Sequence, residues 1–481
     1  DSSQAAGLGN ANTNWQDEVL RTSVSSDYNL SVGGKAGFLP YRVSVSYTNN
    51  NGVIKTTGMD RVTGSINLTP KFFDDLLSVN ANVKGSYIAN QYEQGVLGGA
   101  VSFNPTLPVY AEGGNVFNNF TTYTQSGGIA DASTPGTGMS DIYSINPVSR
   151  LLDYESKSAV WQSVGNIQFD LKMPFLQELR ANLNLGYDYN HGKVGSYNFP
   201  GSPEAWKAGH YTADSDQPIR DGYANKSWEK QKRYNLLLDF YLNYNKDLDA
   251  INSSLDVTAG YSWQRFSNKG SNWSKVYAPG QSFDGYQRDA TYFYSSPYQL
   301  VSFFGRVQYG LMGKYLLTAT VRRDGSSRFS KDNRWGTFPS VALAWRVIDE
   351  NFMEGARSVM NDFKIRGTWG ITGQQDLGST FDMLFPYLPI YDVSTNMGQR
   401  PPFAGGADLW LVTPQKYNST LKWEETTTWN VGVDFAFLNN RINGSFDYYI
   451  RKTKDLLTNT TYAGGSNLAP DGPMNIGDLQ T

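Results

Sequence analysis

The sequence predicts an all-β fold, an antiparallel transmembrane β-barrel, and three observations predict it. Apolar and polar residues alternate with a period of two over many separate stretches, as in strands with one greasy and one wet face. Connections between these stretches alternate between very short and very long, the pattern of tight turns on one side of a membrane and extended loops on the other. Across 481 residues with mean hydropathy -0.47, no apolar run approaches the roughly 18 residues a spanning helix needs, which excludes a helical membrane protein.

Composition bounds the answer independently. Aromatic residues make up 14%, with 31 Tyr and 48 Gly, which suits a barrel with aromatic girdles and many turns. A large soluble all-β protein would show similar counts, so composition alone leaves both open. Net charge is -3, from 41 basic and 44 acidic residues, and no field favours nucleic acid. There is no cysteine, and a closed sheet of this size needs no such staples. No linker divides the chain, so 1–481 reads as a single domain, and no signal peptide is visible in the polar opening at Asp1.

Taken in order, Tyr28, Leu30 and Val32 mark a first strand at about 27–34, and Tyr41, Val43, Val45 and Tyr47 follow a short turn. A polar loop at 49–60 leads to Val62, Ile66 and Leu68, then through a turn at 70–76 to the strand Leu77, Val79, Ala81, Val83 and Tyr87. A long outer loop at 89–157 exceeds what a compact domain tolerates. Gly165 to Leu171 then turns into the fully amphipathic strand Leu179 to Tyr189. A second outer loop, 191–231, precedes Tyr234 to Tyr244 and Leu255 to Trp263, and a third, 264–298, precedes Val301 to Tyr309. The tight connection Gly310 to Lys314 joins this strand to Tyr315, Leu317, Ala319 and Val321, whose partner is Val341, Leu343 and Trp345. An inner turn at 347–362, with a helical turn around Glu350 to Ala356, leads to Phe363, Ile365, Trp369 and Ile371. After a fourth outer loop, 373–421, Trp429 to Phe437 pairs through Asn439 and Asn440 with a last outward strand at about 442–452; two Asn residues tolerate the positive φ of a tight hairpin. The count is roughly fourteen strands of spanning length, about 9 to 11 residues each.

Three stretches carry a family resemblance. RRDGSSRFSKDNRWGTFPSVALAWR, from Arg322 to Arg346, resembles the mid-barrel signature of SusC/RagA-like TonB-dependent outer-membrane transporters. Asn14 to Gly34 and Leu421 to Leu457 resemble the early and late barrel of the same family, in the same order. The resemblance implies part of an about 22-stranded barrel around a plugged lumen, in the outer membrane of a Gram-negative bacterium. By loop length the first strand runs inward and the last outward, so the sequence reads as a mid-barrel fragment with the N-terminal plug, the TonB-contacting segment and the C-terminal strands missing. Implied partners are a SusD-like lipoprotein lid, the TonB–ExbB–ExbD energising complex acting through that missing region, outer-membrane lipid, an oligosaccharide or oligopeptide cargo, and a dimer of barrel–lid pairs.

Site candidates follow from the faces. Arg306, Arg322, Arg346, Lys364 and Arg366 point inward, as lumen charges or as contacts for plug carboxylates; Asp188, Asp239, Asp256, Asp434 and Asp447 also point inward, giving a lumen of mixed sign. Tyr87, Tyr189, Tyr234 and Trp263 form the outer girdle and Tyr244, Tyr309, Tyr315 and Trp345 the inner one. The outer-loop aromatics Trp206, Tyr211, Trp228, Trp273, Tyr286, Tyr292, Tyr387 and Trp410 suit stacking on sugars or gripping peptides, or packing against one another or the lid. Catalysis has little support: His191 and His210 lie nineteen positions apart on one outer loop, which is no metal-ligand spacing, and no nucleophile elbow or phosphate loop appears, so no catalytic residue, metal or cofactor is expected. Three classes remain: a TonB-dependent importer of oligomeric nutrients, a passive porin, and a soluble β-rich glycan-binding protein.

Overall fold

The computed structural model describes the chain apart from residues 1–7, 125–126, 135–143, 209, 212–217, 220–223, 278–290, 377–384, 390, 394–411, 415, 462 and 464–470. The alternating stretches form strands β1 (Ser26–Ala36), β2 (Leu39–Asn51), β3 (Gly58–Leu68), β4 (Leu77–Tyr92), β5 (Tyr154–Met173), β6 (Leu176–Asn198) and β7 (Ala224–Leu248). They continue as β8 (Ser253–Tyr277), β9 (Thr291–Leu311), β10 (Tyr315–Ser326), β11 (Trp335–Arg346), β12 (Met360–Gln374), β13 (Glu424–Phe437) and β14 (Ile442–Lys454). Each pairs antiparallel with the next in chain order; the sheet has 16 strands, and setting aside two pieces of two residues each, Lys71–Phe72 and Leu479–Gln480, leaves these fourteen.

The connections of two to four residues fall at one end of the sheet, and residues with left-handed backbone close most of them. Met312 (φ 54°) and Gly313 (φ 65°) turn β9 into β10, and Leu438, Asn439 and Asn440 (φ 53°, 57° and 62°) turn β13 into β14. Between β11 and β12 the predicted helical turn is present as 3-10 segments Val347–Asp349 and Asn351–Ala356. There Glu350 accepts hydrogen bonds from the Tyr315 hydroxyl (2.6 Å), the Trp345 indole (3.0 Å) and the Lys314 ammonium (3.2 Å). The Tyr315 hydroxyl and then the Trp345 indole hold the Glu350 carboxyl below the usual carboxylate range. This clasp therefore contributes stability at neutral pH and loses it as pH falls below about 4.

The two faces differ as the alternation requires. Large apolar side chains stand bare on one face around the sheet, among them Leu30 (71% exposed), Leu343 (57%) and Phe446 (68%). No second layer of protein covers them among the described residues, so this is a face for hydrocarbon. The other face carries Asn, Asp, Ser, Thr, Arg and Lys.

Several expected boundaries change. Loop 89–157 shrinks to 93–153, loop 191–231 to 199–223 and loop 264–298 to 278–290, the polar loop 49–60 shrinks to 52–57, and loop 373–421 keeps its length but shifts to 375–423. The strands run on: β7 and β8 each have 25 residues and β6 has 23, far beyond the about 9 to 11 that lipid requires. Above the membrane both faces are wet, so apolar alternation stops while backbone pairing continues.

The connection 93–153 is also no simple excursion. It carries helices α1 (Val96–Ser102) and α2 (Pro147–Leu152), which pack with a helix preceding β1, Trp15–Val19, into an apolar core. Trp15, Val19, Val96, Phe103, Leu107 and Val148 are buried there, and the Trp15 indole donates to the Asn104 carbonyl (2.9 Å). The Asn146 side chain caps α2 by accepting from the Val148 and Ser149 amides (3.0 and 3.4 Å). These segments form a cap on the long-loop end. Trp15→Ala should cost the cap about 3–5 kcal/mol, making 93–153 sensitive to added protease while the heat-stable electrophoretic form of the barrel is retained.

Candidate functional site

The site is the wet face, built by the inward half of every strand. Across β3 to β6 it is a ladder of amides. Asn67 donates to Asn82, Asn82 to Asn80 (2.9 Å) and Asn166 (3.4 Å), Asn166 to Asn184 (3.1 Å), and Gln168 to Asn182 (3.4 Å). Sequence reading passed over this ladder, although its signal was present as amides at every second position. Arg180 donates two bonds to Asp170 (3.0 and 2.8 Å), and Asn243 donates to Asp256 and Thr258 (both 3.0 Å).

Across β9 to β14 the same face is ionic. All five predicted cations lie on it, but they do not act as one group. Lys364 (2.7 Å) and Arg366 (2.9 and 2.7 Å) share Asp434, and Arg366 also reaches Asp447 (3.2 Å). Arg346 pairs with Asp349 of its own turn (3.2 Å). Arg322 sits toward the opposite, long-loop end, donating to Asp324 and Ser302 (both 2.8 Å). Arg306, between Thr258 and Thr320 in register, has no ion-pair or hydrogen-bond partner among the described residues. The face can hold water and polar solutes, and Arg306 alone of the five offers an uncommitted charge.

The Arg322–Arg346 stretch ties the long-loop ends together. Phe329, Phe338, Leu421 and Trp423 form a buried cluster, and the Trp423 indole donates to the Arg334 carbonyl (3.0 Å). The Phe338 ring lies where a side chain on Gly336 or Gly373 would stand, so both glycines are required for close approach. Arg328 stacks over Tyr298 (4.0 Å) and pairs with Asp376 (3.2 Å).

The outer aromatics are redistributed. Trp228, Trp273 and Tyr292 belong to strands β7, β8 and β9 rather than loops, and His191 to β6, because these strands extend above the membrane. Trp206, on the short helix Pro203–Ala208, packs edge-on against Phe117 (5.8 Å). Tyr387 packs edge-on against Phe385 (6.2 Å). Tyr211 lies with His210 on a two-residue strand paired with Pro218–Ile219, and Tyr286 and Trp410 lie outside the described residues.

The eight aromatics expected in the girdles all lie on the apolar face. Tyr189 faces Tyr234 across the β6–β7 ladder, Tyr315 stacks on Trp345 (6.4 Å), Trp263 donates to Gln299 (3.2 Å), and Tyr309 shares a hydrogen bond with Ser253 (3.0 Å). Tyr87 packs on Trp161 (4.7 Å), a ring the sequence reading missed, as it missed the stacked pair Tyr28 and Tyr47 (6.5 Å). Tyr244 completes the inner set on β7.

With this geometry in hand, comparison with known proteins is informative. Residues 111–481 match the family described as TonB dependent receptor-like, beta-barrel. The chain is 39% identical to TonB-dependent receptor SusC of Bacteroides thetaiotaomicron, over 99% of this chain and 46% of that protein. It is 29% identical to TonB-dependent receptor P3 of Formosa agariphila, over 98% of this chain and 44% of that protein. It thus spans about half the length of the curated relatives it matches. Among solved structures, the RagAB peptide importer in its closed-closed state superposes with a TM-score of 0.73 at 17% identity, covering 98% of this chain and 49% of that one.

Asp434 is the hub of the ionic half. Asp434→Asn should cost about 1–3 kcal/mol by leaving Lys364 and Arg366 without their shared carboxylate. Thermal unfolding in detergent should show that Arg366→Gln adds little to it, because the two residues work as one unit.

Proposed function

The chain belongs to the TonB-dependent receptor-like β-barrel family, and from that premise we propose that it forms part of the wall of a SusC-like importer that takes up oligomeric nutrients, glycan or peptide. Its place is the outer membrane, with the short turns on the periplasmic side and the cap outside. The observation that carries the reading is the two-faced sheet: bare Leu, Val, Phe and Tyr on one side, amides and ion pairs on the other, in the strand order of a barrel wall. A lipid-exposed sheet has to close. In the proposed assembly, strands outside this segment close it around a plug.

Energy enters through that plug, moved by the TonB–ExbB–ExbD complex. Arg306 is the residue proposed to meet a plug carboxylate; Arg346, Lys364 and Arg366, already neutralised within the wall, shape the field beside it. A SusD-like lipoprotein is the proposed lid, resting on the cap. The bare apolar side chains of α1, Leu97 and Val101, with Tyr110, support a protein partner there. No chemistry on the cargo is proposed, and a dimer of barrel–lid pairs is the proposed assembly.

Uptake of labelled oligosaccharides and oligopeptides by cells producing the intact protein should stop when the proton-motive force is collapsed; uptake that continues identifies a passive porin. Arg306→Glu should lower uptake roughly tenfold or more, the worth of one charge-assisted contact of about 1.5–3 kcal/mol, with barrel assembly unchanged. Arg366→Glu should instead impair assembly. Val101→Asp should weaken lid retention in pull-downs by roughly tenfold, about 1–2 kcal/mol for one interfacial apolar side chain, while sparing the barrel.

A further inference from the structure

Strands β6, β7 and β8 continue above the outer aromatic ring, and the side chains that faced lipid then face outward into the headgroup layer and beyond. On that outward face the register sets lysine against lysine. Lys193 of β6 stands opposite Lys230 of β7, and Lys232 of β7 opposite Lys269 of β8. Like charges directly opposite on a ladder are destabilising, and among the described residues no carboxylate pairs with Lys193, Lys230 or Lys232.

Beside these pairs lies a groove of about 640 Å³, lined at this end by Lys193, Tyr197, Lys226 and Trp228. The Lys193 ammonium lies 3.1 Å from the centre of the Trp228 ring. The acids of the groove are committed elsewhere: Glu155 to Lys157 (2.9 Å), and Asp60 to Tyr47 and Asn49 (both 2.8 Å). Burial, and then the charges of Lys230 and Lys226, push the Lys193 ammonium below its usual range, and burial with Lys232 and Lys230 does the same to the His191 imidazole. Every charged group facing His191 and Lys193 from β7 is therefore a cation.

Height decides what can reach the site. Lys193 and Lys230 are four residues beyond Tyr189 and Tyr234, about 14 Å along a strand at roughly 3.4 Å per residue, or about 10 Å along the membrane normal at a tilt near 45°. That is the outer edge of the headgroup layer, where the sugars of a glycolipid stand above the rings, on a face turned away from the lumen.

We propose that this lysine array is a binding site for the phosphate groups of a phosphorylated glycolipid of the outer leaflet, with the Trp228 ring holding the Lys193 ammonium in place. An anion between strands converts each Lys–Lys opposition into a bridge. The site rests on the membrane orientation of the wall and not on what is transported.

The test uses the intact protein purified in detergent and native mass spectrometry with added diphosphoryl lipid A, dephosphorylated lipid A or inorganic phosphate. Wild type should bind diphosphoryl lipid A. The triple variant K193Q/K230Q/K232Q should bind it roughly a hundredfold more weakly, about fivefold for each cation lost beside an anionic headgroup, and K193R/K230R/K232R should bind as wild type does. Retention by the glutamine variant within about twofold of wild type overturns the proposal, as does loss in the arginine variant. Equal binding of dephosphorylated lipid also overturns it. Inorganic phosphate binding as tightly as the lipid would mark a free-anion site instead. A glutamine variant that loses a dimer while keeping its lipid would assign the face to a second copy.

Discussion

Hydrocarbon offers a peptide group nothing to bond with, and the rest of this structure depends on that. Each amide and carbonyl at membrane depth must find its partner on the neighbouring strand, which turns the segment into one continuous antiparallel sheet and leaves its side chains only two places to go. The bare face and the wet face are one consequence of this constraint seen from two sides. The inner rim shows the same economy: Glu350 takes up the polar ends of Tyr315 and Trp345, leaving their rings free to lie against lipid.

At the other end the requirement relaxes, and ordinary protein packing takes over. The cap is a small soluble core assembled from stretches distant in sequence, with Trp15 and Phe103 in edge-to-face contact at 4.9 Å. The cluster around Phe338 and Trp423 performs the same service for the ends of β10 to β13. Both fix the mouth by contacts that water can reach around but not enter.

What was legible in the sequence follows from this division. A period of two is imposed at every residue within lipid, so strand order, turn positions, the Asn439–Asn440 hairpin and the place of all five cations on the polar face can be read directly. Above the membrane no such rule applies to both faces. Alternation therefore ends near His191 and Gln264 while the ladders continue, which puts Trp228 and Trp273 on strands where the pattern predicts loops. The cap escaped because burial of Trp15 by Val96 and Val148 has no local periodicity. Ion pairing is equally hidden: Arg306 and Arg366 look alike in sequence, and only the fold brings Asp434 to Arg366 and leaves Arg306 without a partner among the described residues.

The unequal length of the strands gives the wall two mechanical zones. β1 has 11 residues and β7 has 25, so one flank barely clears the lipid while the other rises as a long twisted ribbon. Within the bilayer, parting two strands strands their peptide groups, which makes that zone stiff. In water the parted groups are hydrated at once, so the ribbon can flex, twist or briefly unzip at small cost. The tall flank is therefore the part of the wall whose ladder opens at the lower cost, and the spanning zone below it the part that opens at the higher.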